Sequence, residues 1–258
     1  MDVLARWCDG CDLSLFALRQ RGYLVHFAEL RGTLAPTTLK LRLFAHRRFY
    51  AYRATLNGYL PNPTAGMRVK VAKRRPKVPY SMDGLRALLA ACENGKPTLA
   101  LRNRALLLMY IGTAARRCEI LNLRTEDIDW EGGYITVLGK GAKERRLVPG
   151  RAALAALKTY LNGREGHVWL SHRSRPLGNS SIWKVLKKIA TRAGVSNAYF
   201  HRFRHTYAIR FLKESRDFMA LKMILGHESY DMVEEYVEYE AAERALAQQR
   251  RLSLADRL

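Results

Sequence analysis

Acidic residues are scarce in this chain. Its 258 residues hold 23 Asp and Glu against 45 Lys and Arg, a formal net charge of +22. Such an excess repels itself in the compact state, which argues for a polyanionic partner. Nucleic acid fits that role best; a membrane surface fits less well, because no basic helix has an opposite face of Trp and Phe. Long apolar runs are missing as well. The best, from Ala105 to Ile111, falls far short of the roughly 20 residues a membrane span needs. The opening MDVLARWCDGCDLS carries acids where a signal peptide has a basic start and an apolar stretch, so a cytoplasmic protein is expected. Cysteine is sparse. Cys8-x-x-Cys11 has no second pair at zinc-site spacing, and of Cys92, Cys118 and these two, a pair lies in helical patterns suited to free, buried thiols. There is no His-Glu-x-x-His, no acidic triad and no phosphate loop ending in Gly-Lys-Ser/Thr, so neither a metal nor a cofactor is expected. Internal repeats and low-complexity tracts are absent. What remains, 48% hydrophobic and 26% charged, is a globular composition long enough for one large domain or two smaller ones.

Apolar residues at spacings of three and four predict a helix over residues 13–30, on Leu15, Leu18, Tyr23, Phe27 and Leu30. A second is expected over 33–57, with Leu39, Leu43, Phe49 and Tyr52 inward and Lys40, Arg42, His46, Arg47, Arg48 and Arg53 around them. The run RVKVAKRRPK then holds six basic residues in ten: Arg68, Lys70, Lys73, Arg74, Arg75 and Lys77. It reads as an extended linker suited to tracking phosphates. The expected organisation is a helical domain over 1–66, this linker over 67–79 and a larger domain over 80–258. In the larger part, Ser81 heads a helix, the nearly all-apolar stretch from Thr98 to Tyr110 is central to the core, and Glu119 to Leu123 is helical. The period then changes: Tyr134 to Leu138 and Arg145 to Pro149 flank GKGAKE as a hairpin. Helical spacing resumes at Ala152 to Tyr160, at Ser180 to Ala193, and from Thr206 to the end with a break near Gly226-His227.

Four pieces stand out: Arg116 in GTAARRCEIL, Lys140 in LGKGAKERR, His201-x-x-Arg204, and Leu225-Gly226-His227 followed nine residues later by Tyr236. An arginine three before a glutamate is common on any helix; the His-x-x-Arg, Leu-Gly-His and Tyr set in this order is specific. Together they resemble the tyrosine recombinases, the phage integrase family that includes the Xer-type enzymes, over most of the chain. The resemblance is strongest from Leu101 to Tyr239. One departure stands in the first box, where the family usually reads Thr-Gly-x-Arg and this chain reads Thr113-Ala114-Ala115-Arg116. Alanine is harmless there unless the backbone needs positive φ.

The resemblance implies a mainly α fold with a small antiparallel sheet (α+β), built as a two-domain C-shaped clamp on duplex DNA. A helical core-binding domain would precede an integrase-type catalytic domain. A phosphodiester under attack gathers negative charge, which planar arginine forks match, so Arg116 and Arg204 are expected to clamp it. Tyr236 would attack, leaving a 3′-phosphotyrosine and a free 5′-hydroxyl; Tyr230 and Tyr239 lack the nine-residue spacing. Lys140 matches the family's general acid, with Lys143 its rival. His201 resembles the acid–base histidine, and His227 would bond the phosphate or simply cap a helix. Glu119 would orient an arginine, and His205 is expected to be structural. Lys40, Arg42, Arg47, Arg48, the six linker cations and Lys143 are the candidate DNA contacts. In this family C-terminal tails dock on a neighbouring subunit, so a homotetramer on paired sites is expected, with the apolar tail residues Ala245, Leu246, Leu252 and Leu254 docking in trans. Rival readings are a transposase, a type IB topoisomerase-like enzyme and a catalytically silent DNA-binding scaffold.

Overall fold

The computed structural model describes residues 2–16, 18–57, 62–72, 78–93, 96–139, 143–226 and 229–257. The chain divides into two compact units, 1–75 and 76–258.

The first unit holds α1 (Asp2–Gly10), α2 (Gln20–Thr33) and α3 (Pro36–Asn57). Its core gathers Leu4, Cys8, Leu18, Tyr23, Phe27, Leu39 and Leu43. The helix expected over 13–30 starts only at Gln20, because Asp12 turns left-handed (φ 54°) and Arg19 is extended before the first turn. Leu15 and Leu18 still pack on the core, from a loop, while Phe16 is exposed beneath the Arg53 guanidinium. On α3 the buried stripe runs Leu39, Leu43, His46 and Tyr50, and Tyr52 is exposed. His46 belongs there because its Nδ1 is hydrogen-bonded to the Tyr23 hydroxyl.

The second unit contains α4 (Met82–Ala90), α5 (Pro97–Thr113), α6 (Arg117–Leu121), β1 (Ile128–Asp129), β2 (Tyr134–Leu138), β3 (Glu144–Leu147), α7 (Arg151–Leu161), α8 (Asn179–Arg192), α9 (Phe200–Ser215), α10 (Phe218–Leu225) and α11 (Asp231–Arg251). Ser81 caps α4 by accepting from the Gly84 N–H at 3.0 Å. The apolar α5 lies between α7 and α9 and puts Ala105, Leu106, Leu107, Met109 and Tyr110 in the main core. The sheet is antiparallel in the order β1-β2-β3, with Ile135 opposite Leu147 and Val137 opposite Arg145. So the fold is mainly helical with one small antiparallel sheet. A smaller cluster of Ala208, Ile209, Leu212, Leu221, Leu225, Val233 and Tyr236 joins α9, α10 and α11. Cys8 and Cys92 are buried free thiols; Cys118, in a helical pattern, is exposed instead, because its position on α6 faces away from the core. Among the described residues, no helix is long and apolar enough to cross a membrane.

Candidate active site

The site grows from the ends of three helices. Thr113 ends α5, and Ala114 follows in the left-handed region at φ 53°. That turn aims the Ala114 carbonyl at Arg204 of α9, whose Nη1 donates to it at 2.9 Å. The alanine in place of glycine therefore sits where glycine is favoured, and strain of about 1–2 kcal/mol accompanies it. Two residues on, Arg116 is the N-cap of α6, and the Glu119 carboxylate folds back to accept its backbone N–H at 2.6 Å.

Glu119 is the hub. Its Oε1 accepts from Arg116 Nη1 at 2.9 Å and from Arg145 Nη1 at 2.8 Å; its Oε2 accepts from Arg145 Nη2 at 2.8 Å. Burial alone would raise its pKa, but the hydrogen bonds from Arg145 and Arg116 hold it below the ordinary carboxylate value. Arg145 was not picked out from the sequence. The signal was available in strand alternation: Arg145 and Leu147 share the inner face of β3, while Arg146 points outward over the Tyr134 ring.

Three successive carbonyls at the C-terminal end of α10 each accept from a different arginine. Ile224 O takes Arg145 Nε at 3.0 Å, Leu225 O takes Arg204 Nη2 at 2.6 Å, and Gly226 O takes Arg116 Nη2 at 2.8 Å. A helix C-terminus offers unpaired carbonyls and the negative end of its dipole, so it suits cations. Gly226 ends α10 at φ 62°, and a Cβ there would stand 3.2 Å from three side-chain atoms of Arg145. Both facts require glycine in the Leu-Gly-His motif.

Arg204 is buried, 2% exposed. Burial first, then Arg116, lower its pKa to about 10, so it remains charged at neutral pH. Its charge acts on the Tyr236 hydroxyl, whose pKa it pulls down. Tyr236 lies in the α9–α10–α11 cluster, and burial raises its pKa against the opposing pull of Arg204. The His205 ring stands 5.2 Å from that of Tyr236 and 5.8 Å from that of Tyr239. Tyr230 is exposed, its hydroxyl on the Met219 sulfur and its ring under Lys222. The structure thus brings together Arg116, Glu119, Arg145, Arg204, His205 and Tyr236. His201 lies on the first turn of α9 and is exposed. Beside Arg116 and Glu119 a cavity of 360 Å³ opens against β2, reaching Leu138 and Gly139.

Lys140 and His227 lie outside the described residues, as do Lys73, Arg74, Arg75 and Lys77. Lys143 is exposed, and its carbonyl closes the hairpin base by accepting from Gly139 N–H at 2.8 Å. Lys40, Arg48, Arg68 and Lys70 are exposed; Arg42 and Arg47 are half-buried, the latter donating to the Met67 carbonyl. Sequence reading passed over a basic face on α8: Lys184, Lys187, Lys188 and Arg192 are all exposed at helical spacing. Beside them Trp183 lies under Arg117, the neighbour of Arg116, at 5.8 Å. Single lysines at spacings of three and four look like any solvated helix face.

Residues 81–243 match the phage integrase family. Among curated proteins, tyrosine recombinase XerD of Halalkalibacterium halodurans is 32% identical over 216 residues, covering 80% of this chain and 71% of that one. Tyrosine recombinase XerC of Xanthomonas campestris pv. campestris is 32% identical over 205 residues, covering 78% of this chain and 63% of its own length. In fold, the chain is similar to the XerH site-specific recombinase solved on a palindromic difH substrate. The TM-score is 0.78 at 18% identity, over 92% of this chain and 73% of that one. The Tn1549 transposon integrase, solved with circular intermediate DNA, gives 0.73 at 17% identity, over 91% and 87%.

Proposed function

We infer the reaction from one premise: the chain belongs to the phage integrase family and is a site-specific tyrosine recombinase. It breaks and rejoins DNA strands. The observation that carries the residue assignment is the meeting of Arg116, Arg204 and Tyr236, brought from α6, α9 and α11 close enough for their charges to act on one another.

Arg116 and Arg204 grip the scissile phosphate. Each is held in place by carbonyl partners, so its fork is aimed before the substrate arrives. Arg116 and Arg145 share the one Glu119 carboxylate, two cations to one anion, which favours a further anion beside them. The Tyr236 oxygen attacks phosphorus, the bond to the 5′-oxygen breaks, and a 3′-phosphotyrosine forms. Because Tyr236 is a buried phenol with a raised pKa, it needs a base, and His201 takes that proton. Lys140 gives a proton to the departing 5′-oxygen. His227 supports the phosphate. Rejoining runs the same steps backward from a 5′-hydroxyl, without an external energy source. Glu119 and His205 act by holding Arg116 and Tyr236.

The substrate is duplex DNA in the cytoplasm, met by the basic residues of the first unit, of the 68–77 run, and of α8. The assembly is a tetramer on paired sites. Its support lies in α11, whose residues 242–251 are exposed all round, and in Leu246, Leu252 and Leu254, exposed by 50%, 53% and 75%. Such a tail gains apolar burial by docking on a neighbour. A nicked duplex whose broken strand diffuses away tests the chemistry. A covalent protein–DNA adduct is expected from the parent chain and none from Tyr236→Phe. No adduct on any bound site would leave a DNA-binding scaffold, and plasmid relaxation without recombinant products would indicate a topoisomerase.

A further inference from the structure

We propose that Arg145 is a positioning residue for strand cleavage: it fixes Glu119, and through Glu119 the Arg116 clamp, against the C-terminal carbonyls of α10. The inference rests on the recombinase reading and deepens it.

Arg116 has two anchors here, the Glu119 carboxylate and the Gly226 carbonyl. Arg145 holds both anchors from the other side. Its two terminal nitrogens form a fork on the two Glu119 oxygens, its Nε bonds Ile224 O, and its side chain lies against Gly226. The Arg145 side chain is 13% exposed and that of Glu119 only 4%, whereas that of Arg116 is 37% exposed and faces the cavity. So Arg145 is the buried half of a pair whose open half meets the phosphate. Without it, Glu119 would be a buried carboxylate short of two hydrogen bonds, and would draw the Arg116 guanidinium inward. Lysine cannot replace it fully, since one ammonium cannot span a carboxylate and a carbonyl with a planar fork. The placement also ties β3 to α6 and α10 at a single side chain.

The expected phenotype separates binding from chemistry. A misplacement of about 1 Å in a reacting geometry costs about 100-fold in rate. The probe is a nicked half-site duplex selected from a random-sequence DNA pool by the parent chain. Arg145→Gln and Arg145→Lys should bind it within about 3-fold of the parent, since no phosphate contact is removed. Single-turnover cleavage should fall about 10- to 100-fold, less for lysine than for glutamine. In a Glu119→Gln background, Arg145→Gln should cost less than about 3-fold more, because both changes remove one interaction. Parent-like cleavage by Arg145→Gln would overturn the proposal, as would a full multiplicative loss on top of Glu119→Gln. If Arg145→Gln does not fold, Arg145→Lys carries the same test, and cleavage lost only in step with DNA binding would mark a merely structural role. An inactive Arg116→Ala beside a parent-like Arg145→Gln sinks this inference and leaves the recombinase reading standing. No adduct from the parent chain sinks both.

Discussion

Gly226→Ala concentrates the logic of the site in one methyl group. The residue sits at φ 62°, and the added carbon would stand 3.2 Å from Cδ, Nε and Cζ of Arg145. Left-handed strain costs about 1–2 kcal/mol, offset by about 0.4–1 kcal/mol from the less flexible unfolded chain. Arg145 cannot swing away freely, because three hydrogen bonds hold it. Loosening one charge-assisted bond costs about 1.5 kcal/mol or more. The net is about 2 kcal/mol, or about 4–8 °C in the melting temperature of a unit this size. Cleavage should fall at least about 10-fold, as both Arg145 and the Gly226 carbonyl that holds Arg116 shift. Gly32→Ala is the control: it lies within α2 and an added carbon there meets open space. That change should leave stability equal or raise it by up to about 1 kcal/mol. Calorimetry and single-turnover cleavage decide the matter. Gly226→Ala melting and cleaving like the parent would refute the reasoning.

Ala114→Gly should be nearly neutral: relief of about 1–2 kcal/mol of left-handed strain is offset by a lost buried methyl at about 0.8 and by unfolded-chain entropy at about 0.4–1. A β-branched Ala114→Val should destabilise by about 1–3 kcal/mol, since Ala114 is fully buried and its backbone left-handed, and chemical denaturation of the three chains distinguishes them. In the first unit, burial lowers the His46 pKa from 6.5 to about 4. The unfolded chain therefore takes up this proton first, so stability is full above pH 6.5 and is lost as pH falls toward 4, by at most about 3 kcal/mol. Hydrogen exchange of the α2 and α3 amides between pH 7 and 4.5 measures this, and His46→Gln should flatten the dependence.

Much of the fold was legible because periodicity is a strong signal where an element is long and buried on one side. The apolar α5 and the β2–β3 hairpin are examples. The misses have physical causes. Leu15 and Leu18 keep helical spacing yet sit on a loop, since tertiary burial, rather than helix formation, satisfies them. The two-residue β1 is too short to show any pattern, and α1 was passed over among its acids and cysteines. His46 reads as a surface cation on α3 until Tyr23, from another helix, supplies its partner. In the site, Arg116, Glu119, Arg204 and Tyr236 were named from motifs that resemble those of the tyrosine recombinases. Arg145 was not, because its role depends on partners 26 and 79 positions away in sequence. The positive φ at Ala114 was hidden for a related reason: only the need to aim a carbonyl at Arg204 reveals it.

The identity of the residue bound to DNA tests the central claim most directly. The adduct formed on a nicked duplex is digested with protease and nuclease, and the linked peptide is sequenced by mass spectrometry. The account predicts a nucleotide attached through the oxygen of Tyr236. Attachment at Tyr230 or Tyr239, or an adduct that persists in Tyr236→Phe, would contradict it.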